Sequence, residues 1–220
     1  MFALFELLTL ISRGIENTVW IVALHIITIF FYLISGMLIS RRLNQPSLPF
    51  IIYFTRPKKH PLPFGFYKIF RVIGVYALTV CLLTFFLFQW THPQVASFLR
   101  DSLTSLNASK IHVELSSILI FTTVAFYEEI VFRLFIQGFV RFIFKKYTWN
   151  GVVAILFSSL LFSLGHFGIL ETWWVKFVQT FVIGIILGKL MKKYGMEISF
   201  AVHTILNIFA LYTAPLLLQS

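Results

Sequence analysis

The sequence contains very little charge and hardly any acid. Only 12% of its 220 residues are charged, and Asp and Glu together number eight. A soluble domain carries about 25% charged residues. Hydrophobic residues make up 59% of the chain, which includes 27 phenylalanines. These proportions exclude an ordinary soluble domain and indicate a protein that crosses a cell membrane several times.

Three further features of the sequence narrow the class of membrane protein. Cys81 is the single cysteine, so the chain forms no internal disulfide. None of the apolar runs alternates with a period of two residues, which argues against membrane strands. The net charge of +10 would suit a nucleic-acid partner, but the basic residues cluster at the ends of apolar runs. That position is typical of orientation signals, so we expect the lipid bilayer and no nucleic acid as a partner.

Six runs approach the length of about 20 mostly apolar residues that a spanning helix needs. The predicted fold is therefore an all-α, polytopic transmembrane helical bundle of about six spans. The apolar residues 1–12 are too short to span and are predicted to lie at the interface or to extend the first span. The predicted spans are residues 18–39, 72–90, 113–140, 152–170, 173–190 and 197–217.

The basic residues occupy alternate loops. Residues 40–71 hold seven of the 18 Lys and Arg residues, and groups of three follow the third and fifth spans, whereas the opposite side has few, Lys176 among them. The positive-inside rule places the basic loops in the cytoplasm and both termini outside. Residues 44–65 hold five of the seven prolines and are predicted to be an irregular linker. We expect residues 1–71 to be accessory and residues 72–220 to contain the second span and the functional core.

The third span contains a polar stretch, FYEEIVFRLF, at residues 126–135. A charged group at the centre of a bilayer costs about 3 kcal/mol or more unless it is paired or hydrated, so it marks a candidate functional site. Arg133 follows Glu129 by four residues, and the two can pair on one helix face. A structural ion pair explains Glu129 and Arg133 as well as any chemistry does. Glu128 is rotated by about 100° from Glu129, so Arg133 cannot neutralise both from one direction.

Histidines and an asparagine supply the other polar groups inside the predicted spans. His166 lies on the fourth span, while His203 and Asn207 lie four residues apart on the sixth and face the same way. Taken singly, each is explained by packing or by hydrogen bonds between helices. Taken together with Glu128, they form a set suited to hydrolysis, because a carboxylate can take a proton from water while other groups stabilise an oxyanion. His25 has no partner at helical spacing and is interpreted as structural.

A GxxxG pattern, Gly184 to Gly188, is typical of a close contact between helices inside the bundle.

The predicted depths of the polar residues in the membrane disagree when they are counted from helical rise, at about 1.5 Å per residue. By that count His203 lies nearer the cytoplasmic end of its span than Glu128 and His166 lie to theirs. The three groups meet only if the helices tilt or a cavity enters from the cytoplasm.

Three motifs follow one another in the second half of the chain. EEIVFR (128–133) fits EExxxR, FSLGH (162–166) fits FxxxH, and HTILN (203–207) fits HxxxN. In this order, each on its own predicted span, they resemble the CPBP or Abi family of intramembrane proteases. That family includes the type II CAAX prenyl endopeptidase and bacterial proteins linked to bacteriocin processing and self-immunity. The resemblance covers about residues 113–217 and implies a four-helix catalytic core.

The resemblance also implies roles for the motif residues. Glu128 would be the general base that activates water, and His166 would hold that water. His203 and Asn207 would form the oxyanion hole.

Glu129 and Arg133 would be the supporting pair that fixes the helix and the local field. No cofactor is implied. Zinc is the less favoured possibility, because HExxH is absent and the candidate ligands lie on separate helices.

The predicted function is therefore an intramembrane endopeptidase that cleaves a membrane-associated peptide or protein near the cytoplasmic leaflet. Its expected role is bacteriocin self-immunity or peptide processing in a bacterium. Two alternatives stay open: an immunity protein that binds without cutting, and a small transporter, since charged groups near mid-membrane also occur in proton relays. The small size and the lack of repeat symmetry argue against the transporter. The sequence does not predict the substrate or the oligomeric state.

Overall fold

The computed structural model of the chain describes residues 15–45, 48–49, 65–94 and 115–217. These residues form a bundle of six helices, so the predicted all-α fold is confirmed. Each predicted span corresponds to one helix. The helices are α1 (Ile15–Arg42), α2 (Phe66–Thr91), α3 (residues 115–143), α4 (Asn150–Leu164), α5 (Trp173–Tyr194) and α6 (Met196–Leu217).

Some predictions concern parts of the chain outside the described residues. These are the interfacial segment 1–12 and most of the proline-rich linker 44–65. His25 lies in α1, but its side chain is outside the described part. The division of the chain at residue 71 stays a prediction.

Length and composition identify a membrane protein. Within the described ranges, three helical stretches are long and apolar enough to cross a bilayer: Tyr67–Thr91, Trp173–Tyr194 and Met196–Thr213. Large apolar side chains also lie on the outer surface, with Phe86 65% and Leu78 61% exposed. Exposing these apolar side chains to water would cost free energy, whereas contact with lipid tails would not. The molecule is therefore a helical membrane bundle.

The fourth helix is shorter than predicted. α4 ends at Leu164, whereas the predicted span ran to residue 170. Tight-turn hydrogen bonds from Gly165 N–H to Leu161 O and from His166 N–H to Ser163 O close its last turn. Gly168 then adopts a φ of 82°, in the left-handed region that glycine tolerates best. The chain consequently leaves the helix at His166 and reverses into α5.

The third helix changes geometry at its centre. Leu115–Glu128 is α-helical, Glu129–Gln137 is a π-helix, and Gly138–Ile143 is α-helical again. π-helical turns are rare, and those that occur are frequently found at functional sites. Here the π segment starts at the second glutamate of the EE pair. It carries buried polar side chains on a helix that is otherwise strongly apolar.

Small residues let α3, α4 and α5 approach one another closely. A Cβ added to Gly184 would lie 2.9 Å from Ser159 Cβ, and one added to Gly188 would lie 2.9 Å from Gln137 Oε1. Gln137 Nε2 also donates a hydrogen bond to Gly188 O at 3.0 Å. The interpretation of GxxxG as a close contact inside the bundle is confirmed.

The first two helices pack on opposite parts of this core. α1 lies against the π segment, where a Cβ on Gly36 would come within 3.0 Å of the backbone carbonyl carbon of Leu134. α2 packs against α5 and α6 through a buried apolar cluster that includes Val80, Leu187 and Val202. α1 therefore directly contacts the helix that carries EExxxR.

Candidate active site

Three motif side chains from three helices lie together inside the bundle. Glu128 Oε1 lies 3.6 Å from Nε2 of His166, and Glu128 Oε2 lies 3.5 Å from Nε2 of His203. Glu128 is the last α-helical residue before the π segment, and His166 follows the end of α4. The structure thus brings one carboxylate between two imidazoles.

A buried turn explains how His203 reaches the other two groups. Tyr194 and Met196, which flank the turn between α5 and α6, are only 7% and 1% exposed. Gly195 between them has a φ of 98°, which permits the abrupt reversal. Because α6 begins inside the bundle, counting helical rise from a surface end misplaces His203. The conflict in depth that the sequence raised is therefore resolved.

The surroundings of His166 determine which nitrogen carries the proton. Its Nδ1 lies 2.7 Å from the carbonyl oxygen of Phe162. A carbonyl oxygen only accepts hydrogen bonds, so Nδ1 is assigned the hydrogen and Nε2 of the neutral ring is an acceptor. Two acceptors, Nε2 of His166 and a carboxylate oxygen of Glu128, therefore face each other. This arrangement suits a small group that can donate to both.

His203 lies between the two glutamates. Its Nδ1 is 3.0 Å from Oε1 of Glu129, and its Nε2 points to Glu128. The carboxylate of Glu129 accepts from Nδ1 and so holds the ring in one orientation. Sequence reasoning did not foresee this contact, because it considered the two glutamates only by their angle on α3. One imidazole reaches both because its two nitrogens lie on different edges of the ring.

The second glutamate has a further partner that the sequence did not indicate as functional. Ser199 Oγ donates a hydrogen bond to Glu129 Oε2 at 2.5 Å. The predicted partner, Arg133, is farther away, with Nε 3.8 Å from Glu129 Oε1. The supporting pair is thus a loose ion pair, and the short bonds come from α6. The one available signal was spacing, since Ser199 precedes His203 by four residues and shares its helix face.

Arg133 is buried behind the aromatic residue of the FxxxH motif. Its side chain is fully buried, and its Nη1 donates to Ser158 Oγ at 3.2 Å. The guanidinium carbon lies 4.8 Å from the ring centroid of Phe162, within the range of a cation–π contact. The same ring lies 4.5 Å from the centroid of His166 and 5.7 Å from that of His203. Phe162 therefore packs the cation and both imidazoles into one unit, a role that the sequence did not reveal.

Asn207 lies one turn beyond His203, at the edge of the cluster. Its Nδ2 donates to the backbone carbonyl of Phe121 at 3.4 Å, a long bond between α6 and α3. Among the described residues, its carboxamide makes no hydrogen bond to Glu128, His166 or His203. The structure therefore places Asn207 one helical turn from His203, with its described hydrogen bond directed to α3 rather than to the other motif residues.

The two sides of the cluster differ in exposure. The side chains of Glu129 and His203 are 1% and 3% exposed, whereas those of Glu128 and His166 are 6% and 13% exposed. Within the described ranges, no group of three or more His, Cys, Asp or Glu side chains is arranged to hold a metal ion. The arrangement offers a carboxylate and an imidazole acceptor on its more open side.

Comparison with known proteins agrees with the motifs. Residues 111–209, just under half of the chain, match the family described as Type II CAAX prenyl endopeptidase Rce1-like. This segment belongs to that CPBP family of intramembrane proteases. The matched CPBP segment begins just before α3, contains all three motifs and ends within α6. No curated protein and no solved structure is significantly similar to the chain.

The family match gives the cluster its chemical context. The family is one of CAAX-type endopeptidases, so the match supports endopeptidase activity for the segment and implies a peptide or protein substrate at the membrane. α1 and α2 lie outside the CPBP match. They contact the matched core through the π segment and through α5 and α6.

Proposed function

We propose that the protein hydrolyses a peptide bond of a membrane-associated peptide or protein, with Glu128 as the general base that activates water. The observation that carries this proposal is the 3.6 Å separation between Glu128 Oε1 and the acceptor Nε2 of His166. A water placed about 2.8 Å from both atoms donates one hydrogen to each. As the water oxygen attacks the scissile carbonyl carbon, the carboxylate takes its proton.

The remaining motif residues act on the developing oxyanion in this proposal. In this proposal His203 carries a hydrogen on both ring nitrogens, so that Nδ1 donates to Glu129 and Nε2 donates to the oxyanion. Asn207 supplies the second group, because its bond to Phe121 is long, at 3.4 Å, and a substrate can replace it at low cost. Fixed donors of this kind stabilise the tetrahedral intermediate without reorganising during the reaction.

Mass spectrometry of peptide products tests the assignment. We would incubate the purified full chain in detergent with a library of short acylated peptides and compare wild type, Glu128→Gln and Lys146→Gln. Lys146 is exposed in the loop between α3 and α4, so its replacement removes one charge away from the cluster. We expect Glu128→Gln to lower the rate by about 10²–10⁴-fold and Lys146→Gln to leave it unchanged. Equal product from wild type and Glu128→Gln would refute the role of Glu128.

We also propose that the reaction needs no metal ion. The support is chemical: the Glu128–His166 pair can activate water by itself, and the HExxH pattern of zinc proteases is absent from the sequence. Full activity after treatment with a strong zinc chelator is the expected result. Loss of activity that added zinc restores would overturn the metal-free mechanism.

For the biological role we propose bacteriocin self-immunity or peptide processing, which the motif resemblance implies. Expression in a bacteriocin-sensitive strain separates cutting from binding. Protection by wild type and none by Glu128→Gln supports proteolysis. Protection that persists in Glu128→Gln supports the alternative of an immunity protein that binds without cutting. Proton or solute flux through the protein in liposomes would support the alternative that it is a transporter.

A further inference from the structure

The two ends of the bundle differ in charge. At one end, Gly138 of α3 lies against Ile39 of α1, and Gly151 of α4 lies against the side chain of Lys192 on α5. The end of α5 therefore meets the start of α4 there. We call it the basic end, because it displays the exposed cations Arg41, Arg42, Lys145, Lys146, Lys192 and Lys193.

The candidate active site lies towards the opposite end. His166 is two residues past the end of α4, in the turn formed by residues 165–172. The N–H of Glu171 in this turn donates to Gln94 O at 2.9 Å, so the end of α2 lies beside it. We call the turn, the end of α2 and the start of α5 the site end.

The start of α5 lies near the carboxylate of Glu128. Lys176, in the first turn of α5, is close enough to Glu128 and to His166 for its charge to act on both. Within the part of the chain that the structure describes, Lys176 is the one Lys or Arg at this end. Ser163 Oγ, at the end of α4, also donates to the carbonyl of Phe177 and holds the two helices together. Glu128 is thus within electrostatic reach of the end that lacks the basic cluster.

Exposed aromatic residues occur at both ends of α4. Tyr147 and Trp149, just before it, are 53% and 45% exposed, and Trp173 and Trp174, after the following turn, are 49% and 44% exposed. Aromatic residues concentrate at the two membrane–water interfaces. The first pair accompanies the basic end, and the second accompanies the site end. The turn that carries His166 therefore lies at the level of the second interface.

We propose that the active site is entered from the extracytoplasmic side of the membrane, and that its substrate is a peptide presented from outside the cell. The positive-inside rule places the basic end in the cytoplasm. The site end then faces outward, which replaces the cytoplasmic leaflet expected from the motifs. The orientation is independent of catalysis, whereas the statement about the substrate rests on the proposed function.

Cysteine labelling tests the orientation without any assay of activity. The background is Cys81→Ser, which removes the single native thiol. Thr148→Cys and Thr172→Cys form a matched pair, because both threonines are exposed and they lie at the basic end and the site end respectively. A membrane-impermeant maleimide should label Thr172→Cys in intact cells and Thr148→Cys only after permeabilisation. Labelling of Thr148→Cys in intact cells, or of Thr172→Cys only after permeabilisation, overturns the proposal.

Oriented vesicles test the entry of the substrate. A highly charged peptide library that cannot cross the bilayer is added to right-side-out and inside-out vesicles that contain wild type or Glu128→Gln. We expect cleavage by wild type in right-side-out vesicles and its loss in inside-out vesicles and in Glu128→Gln. Cleavage confined to inside-out vesicles overturns the inferred entry and leaves the proposed function intact. Cleavage in neither kind contradicts the proposed function, while the labelling result still decides the orientation.

Discussion

Glu128 and Glu129 are neighbours in the chain, but their surroundings differ. Glu129 accepts short hydrogen bonds from Ser199 and His203 and lies near Arg133. The two imidazoles beside Glu128 lie at 3.5 and 3.6 Å, beyond the usual hydrogen-bond distance, and its side chain is more exposed than that of Glu129. We refer to these surroundings as the Glu129 side and the Glu128 side.

The comparison separates positioning from chemistry. The buried, tightly bonded carboxylate of Glu129 cannot exchange partners easily, so it acts as a fixed charge that orients His203. Glu128 instead lies between two imidazoles, at separations that a bridging water can span. The boundary between the two sides is the start of the π segment, where α3 changes the direction of successive side chains. Variants of the two sides should therefore fail in different ways.

The largest expected effect is on catalysis and comes from Glu128. Glu128→Gln keeps the shape of the side chain and removes the base, so we expect kcat to fall by about 10²–10⁴-fold. The thermal midpoint in detergent should stay close to that of wild type. If Glu128→Gln lowers the thermal midpoint as well, and kcat falls only because less protein is folded, the two sides do not differ in function.

Glu129 should affect stability more than any other residue of the cluster. Glu129→Gln leaves the guanidinium of Arg133 buried without its counter-charge, which costs about 3–5 kcal/mol. Thermal and denaturant unfolding in detergent measure this loss. The double variant Glu129→Gln/Arg133→Met should recover part of it, because the unpaired cation is gone. A Glu129→Gln protein as stable as wild type would show that this side is not structural.

Asn207 tests how far the Glu128 side extends. If its carboxamide donates a hydrogen bond to the oxyanion, Asn207→Ala should lower kcat by about 10²–10³-fold, with little change in KM. Asn150→Ala is a matched control, because Asn150 also donates to a backbone carbonyl at 3.4 Å but lies away from the cluster. Similar kinetics for the two variants would remove Asn207 from the proposed oxyanion hole.

Replacing Ser199 should give the smallest loss of stability, and it tests how much one hydrogen bond contributes on the Glu129 side. Ser199→Ala deletes one donor to a buried carboxylate, which should lower stability by about 1–3 kcal/mol. Thr213→Ala is the control on the same helix, since that hydroxyl donates to the backbone carbonyl of Phe209 in its own helix. Equal unfolding midpoints for the two variants would show that the bond to Glu129 contributes little.

The motif residues themselves could be selected from the sequence because charge inside an apolar run is conspicuous. Glu128, His166 and His203 were selected in that way, and the structure brings them together. Ser199 and Phe162 were not selected as functional groups. A serine or a phenylalanine in an apolar helix is ordinary by composition, and only a neighbour from another helix gives it a function.

Local properties of the chain determined the class of the protein. Hydropathy and run length determined that it is a membrane bundle of helices, because a helix satisfies its own backbone hydrogen bonds within one segment. The spacing of the motif residues determined which side chains share a helix face. The tertiary structure decided that His203 joins both glutamates, that α6 begins inside the bundle and that the site lies towards the end opposite the basic cluster. Those features depend on contacts between residues at least 38 positions apart, and helical periodicity carries no information over such distances.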